Sequence, residues 1–151
     1  RVVVTGLGIV SSIGNNATEV VDSLKQGRSG ITFTKDYEAL GFRSHVHGAI
    51  NIDLDEFIDR KVKRFMGDGA AFNYIAMQQA INDSGLDESV VSNFRTGLVM
   101  GSGGPSTSNI VEAADILREK GVKKPIDKKS KCRINKGNTK AAAGISIIAP
   151  I

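Results

Sequence analysis

Apolar residues fall along this chain in two patterns: short unbroken runs that end at glycine, and helically spaced positions between polar caps. The first run, Val2-Val3-Val4, leads through Gly6-Leu7-Gly8 to Ile9-Val10 and predicts a buried strand over residues 1–10. Thr96-Gly97-Leu98-Val99-Met100-Gly101 predicts a second. Ser44 to Ile50 reads as a short strand inside an irregular, glycine-punctuated stretch.

The helical pattern occurs three times with clear ends. Asn15 or Asn16 supplies a side chain for free backbone N–H groups, Glu19 suits the first turn, and Val20, Val21 and Leu24 form a stripe that stops at Gly27. Ala70 to Ser84 places Phe72, Ile75, Ala76, Ala80 and Asp83 at helical spacing before Gly85. Ser106 or Ser108 caps a helix through Lys120, with Ile110, Val111, Ala114 and Leu117 on one face and Gly121 as the stop. Asp53 to Met66 runs from acids to bases, which suits one helix dipole or two short helices in series. Strands separated by helices imply parallel pairing, so the expected class is α/β, a mainly parallel mixed sheet with packed helices.

Composition narrows the picture little: 40% apolar and 24% charged residues are ordinary for a globular domain, which 151 residues suffice to build. No apolar run approaches the ~18 residues that span a bilayer, so no membrane role is expected. The opening residues have the charge and apolarity of a leader, but a valine run ending at glycines fits a strand better. The chain opens on Arg1 rather than Met, which reads as a sequence whose start lies upstream. A single cysteine, Cys132, excludes an internal disulfide framework and suits a cytoplasmic, reducing setting.

Charge is more informative. Residues 118–140 hold ten Lys or Arg and two acids; the rest of the chain holds ten bases and fourteen acids. The net +4 therefore belongs to one Lys-rich segment. That segment has no apolar period and reads as loop, so the chain divides into a domain over 1–121 and a basic loop with a short apolar tail over 122–151. Nucleic acid is disfavoured as its partner, because no aromatic residue lies between Arg95 and Ile151 to stack on bases.

Candidate chemistry is sparse. Gly6-Leu7-Gly8 lacks the third glycine of a dinucleotide fingerprint, since Ser11 stands there, and reads as a structural turn. Gly101 to Gly104 lacks the Lys-Ser or Lys-Thr of a phosphate loop, but its missing Cβ atoms suit close approach by a chain segment or ligand tail. His45 and His47 share one strand face without further ligands nearby, so no metal or other cofactor is expected. Cys132, between Lys131 and Arg133, has no organised base, and no catalytic residue is assigned. Arg60, Lys61 and Arg64 stand at i, i+1 and i+4, so one helix would present them together to an acidic partner.

Several strings together resemble the β-ketoacyl-[acyl-carrier-protein] synthases of the type I kind, thiolase-like condensing enzymes. They are Val4 to Asn16, Gly27-Arg28-Ser29-Gly30-Ile31, Arg43-Ser44-His45-Val46, Ile58 to Met66, and Gly101-Ser102-Gly103-Gly104. The resemblance covers residues 1 to about 120. It implies the N-terminal half of a thiolase-type fold, normally a homodimer, and a reaction in which an acyl group held on a cysteine condenses with decarboxylating malonyl carrier protein. It further implies that Arg60, Lys61 and Arg64 contact the acyl carrier protein, and that Gly103 and Gly104 line the acyl pocket. The Ser-Ala-Cys-Ala-Thr-like nucleophile turn of that family does not occur in these residues, and the family's catalytic histidines and lysine belong to a second half that has no match here. The resemblance thus implies a chain inactive by itself. The alternative is a binding module whose basic tail takes nucleic acid or an acidic protein.

Overall fold

The computed structural model describes residues 2–104 and 106–121, and the backbone of 146–147. The pattern above becomes four short strands and seven helices among these residues: β1 (Leu7–Gly8), α1 (Ala17–Lys25), β2 (Ile31–Phe33), α2 (Lys35–Ala39), β3 (Val46–Gly48), α3 (Leu54–Phe57), α4 (Arg60–Lys63), α5 (Asp68–Ser84), α6 (Glu88–Val91), α7 (Thr107–Lys120) and β4 (Ser146–Ile147). The reading of 122–151 as loop and tail, and that of Cys132, lie outside the described residues apart from β4.

Helix ends follow the side chains that satisfy them. Asn16 accepts from the Glu19 N–H, and the Glu19 carboxylate accepts in return from the Asn15 N–H at 2.7 Å. Asn16→Ala is expected to cost about 1 kcal/mol in urea denaturation, the usual value of a lost N-cap. Gly27 closes α1 at φ 63°, Gly85 closes α5 at φ 61°, and Ser106 caps α7. Asp87 caps α6, and hydrogen bonding from Ser89 holds its carboxyl below the usual carboxylate range.

The core forms where α5 meets the segment after β1 and the residues before it. Val10, Ile58, Ala71, Ile75 and Ala76 are buried together, with Ile50, Ile52, Leu54, Met66 and Phe72 packed around them. Small residues let β1 lie directly on α5. A Cβ added at Gly8 would sit 1.8 Å from the Ala76 carbonyl oxygen, and one at Gly6 would sit 2.1 Å from that of Ala80. The reason for these glycines is therefore contact with a helix some 70 residues away, rather than a tight turn.

The strands depart from expectation. β2 pairs with β3 and β1 with β4, and both pairings are antiparallel where alternation of strands and helices predicts parallel ones. One edge of the first strand is occupied by α5 side chains: the Leu7 N–H donates to Asp83 at 2.9 Å and the Ile9 N–H to Gln79 at 3.0 Å. Those donors are unavailable to a parallel neighbour. The expected strand over Thr96–Gly101 forms no ladder with the described residues, among which Val99 is 97% exposed. The apolar stripe of α7 is likewise half exposed at Ile110, Val111 and Leu117. These segments carry apolar faces that the described residues do not cover.

Candidate functional site

Of the two readings of Asp53–Met66, one helix or two short ones in series, the structure shows the second: α3 and α4, broken at Ile58. Ile58 is 2% exposed and anchors the junction in the core, so the polar residues on either side must face outward. Asp59 starts α4 by accepting from the Lys61 N–H at 2.7 Å. Arg60, Lys61 and Lys63 then fall in the last turn, where cations complement the carbonyl end. The Arg64 N–H bonds the Arg60 carbonyl at 3.3 Å, which continues the helical path by one residue.

Arg60, Lys61 and Arg64 are all exposed and, among the described residues, form no ion pair. The Arg64 guanidinium lies 4.4 Å from the centroid of the Phe65 ring, which supports it without consuming its hydrogen-bond donors. Lys63 behaves differently. It is half-buried and pairs with Asp55 of α3 at 2.8 Å. Arg60, Lys63 and Arg64 border an open groove of about 330 Å³ that is also lined by Leu54, Met66, Gly67 and Ala71 and by the acids Asp55 and Asp68. Spacing alone identifies the exposed cations; the Asp55 pairing and the apolar wall depend on residues brought in from other elements.

The remaining expectations sit apart from this groove. Gly103 and Gly104 are exposed in the loop before α7, where Ser102 Oγ donates to the Gly104 carbonyl at 3.1 Å. Nothing among the described residues lies within 4 Å of a Cβ placed at either glycine, so the close approach expected at this loop is not made by those residues. No residue of the loop lines the α4 groove. His45 and His47 flank Val46 and pack edge-on against Phe33 and Tyr37, with ring centroids 5.9 and 5.5 Å apart. No group of three potential metal ligands occurs among the described residues.

A family model described as "Beta-ketoacyl synthase, N-terminal domain" matches residues 1–148. The chain belongs to the β-ketoacyl synthase family. The 3-oxoacyl-[acyl-carrier-protein] synthase 1 of Haemophilus influenzae is 53% identical over 124 residues, 82% of this chain and 30% of the relative. The enzyme of the same name from Escherichia coli strain K12 is 52% identical over 119 residues, 78% of this chain and 29% of the relative. A β-ketoacyl synthase crystal structure from Burkholderia phymatum STM815 superposes with a TM-score of 0.69 at 27% identity, over 88% of this chain and 33% of that one. The fold of the described residues is thus part of the thiolase-like ketosynthase fold. This β-ketoacyl synthase chain spans about 30% of the length of the curated relatives it matches. Among its described residues, no helix is long and apolar enough to cross a membrane.

Proposed function

We propose that this chain supplies the carrier-protein docking patch and part of the acyl-pocket lining of a fatty-acid condensing enzyme, and that its 151 residues alone do not catalyse. The observation that carries the reading is the trio Arg60, Lys61 and Arg64, all exposed and in no ion pair among the described residues, with Arg60 and Arg64 bordering an open groove. A patch of that kind suits an acidic protein, because exposed cations steer encounter and fix register at little cost in desolvation. The relatives' own names specify an acyl carrier protein.

In the proposed whole enzyme an acyl group passes from its carrier thioester to a cysteine thiol. Malonyl carrier protein then loses carbon dioxide, and the resulting carbanion attacks the acyl carbonyl and expels the thiolate. Such a step needs an activated sulfur and donors aimed at the developing oxyanion. The sequence of this chain offers only Cys132, between two cations and without the family's nucleophile turn. Gly103 and Gly104 leave space at their loop that larger residues would fill, which fits an acyl tail or a second copy of the chain in a homodimer. A cytoplasmic setting completes the reading.

With acylated acyl carrier protein and malonylated acyl carrier protein as substrates, the purified chain is expected to show no condensation product by mass spectrometry. Turnover dependent on Cys132 would overturn this. The concentration of charge in residues 118–140 favours a second reading, a basic segment that binds polyanions. A gel shift lost on deletion of that segment would support it.

A further inference from the structure

Four cations stand within five residues of α4 and its end, yet the structure gives them unequal roles. Arg60, Lys61 and Arg64 are exposed. The Lys63 ammonium is held 2.8 Å from the Asp55 carboxylate, with side-chain exposures of 31% and 68%. A pair so open to water contributes little stability. Its effect on the surrounding field does not depend on that energy. Two opposite charges 2.8 Å apart form a short dipole, and at the distance of a docked protein their fields largely cancel.

We infer that Asp55 is a specificity-setting residue that masks Lys63, so that three of the four cations at α4, rather than all four, act unpaired on a docked partner. This rests on the docking reading above. Asp55 lies on α3 and Lys63 on α4, and both border the groove that Arg60 and Arg64 also line. The masked lysine thus sits within the face without adding to its net charge. Removing Asp55 exposes an additional cation, and removing Lys63 exposes an additional anion. Removing both returns the face to its original charge.

The test is a charge-neutralisation cycle on the full chain, with binding to an acyl carrier protein measured by fluorescence anisotropy at low and high salt. A unit charge ~10 Å from an acidic partner changes affinity about twofold in water, and salt suppresses the change. D55N should therefore bind about twofold tighter at low salt, K63Q about twofold weaker, and D55N/K63Q like the parent. All three should converge at high salt. If Lys63 instead contacts the carrier directly, K63Q will weaken binding as much as R60Q does and the double variant will stay weak. If Asp55 only braces α3 against α4, D55N will weaken binding at every salt concentration. Either result overturns the inference while leaving the docking patch intact. A parent chain that does not bind, or an R60Q variant that binds as the parent does, removes the patch itself and the masking role with it.

Discussion

Gly8→Val is expected to unfold the chain at 25 °C. A Cβ at this position would stand 1.8 Å from the Ala76 carbonyl oxygen and 2.8 Å from the Ala80 N–H nitrogen, both backbone atoms of α5. A side-chain tip could turn aside, but a helix backbone in the core cannot without breaking its own bonds. Overfilling a packed site costs about 1–3 kcal/mol when side chains can adjust, and more when the elements must separate. Separation would also strip the Leu7 and Ile9 N–H groups from Asp83 and Gln79. The small core, whose buried apolar side chains among the described residues are two valines, two isoleucines and three alanines, leaves little reserve against a loss of more than ~3 kcal/mol. Far-UV circular dichroism and urea titration would show this as a missing cooperative transition. Gly103→Ala is the control, because its Cβ would meet no neighbour among the described residues, and its effect should stay within about 0.5 kcal/mol. A Gly8→Val melting point within a few degrees of the parent would mean that β1 does not rest on α5.

What could be read in the sequence follows the range of the interaction responsible. α1, α5 and α7 were legible because Asn16, Gly85, Ser106 and Gly121 act within four residues of the ends they define. Acids followed by bases left one helix or two open between Asp53 and Met66, and the split into α3 and α4 comes from Ile58, which turns into the core. The short α2 and α6 were not: α2 has no side-chain bond at Thr34, and each is too short to show an apolar period. The strand expected within Ser44–Ile50 forms as β3, but the parallel pairing and the strand over Thr96–Gly101 failed for a different reason. A valine run such as Val2-Val3-Val4, or Leu98-Val99-Met100, reports that its residues need cover, and says nothing about which polypeptide supplies it. The role of Gly6 and Gly8 was hidden because Ala76 and Ala80 lie far outside any local window. At the site, spacing found Arg60, Lys61 and Arg64, whereas the neutralisation of Lys63 depends on an aspartate in the preceding helix.

Reversing the charge of the patch with R60E, K61E and R64E together should weaken association with an acyl carrier protein roughly a hundredfold. Each reversal removes one attraction and adds one repulsion near the protein surface, and an exposed pair is worth about 0.5 kcal/mol, so each site changes binding by about 1 kcal/mol. Three such changes approach 3 kcal/mol, or about two decades in Kd. Because the three side chains are exposed and have no ion pair among the described residues, folding should change by less than ~1 kcal/mol, part of it from acids placed at the carbonyl end of α4. The salt response separates this reading from its rival. Parent binding should weaken as ionic strength rises, whereas the variant should bind no more weakly at high salt than at low, since screening relieves its repulsion. Deleting residues 118–140 should leave the hundredfold contrast in place if α4 holds the interface. Should the triple variant keep its affinity within threefold while the deletion abolishes it, the carrier protein would be bound by the Lys-rich segment, and the exposure of Arg60, Lys61 and Arg64 would have to serve some other contact.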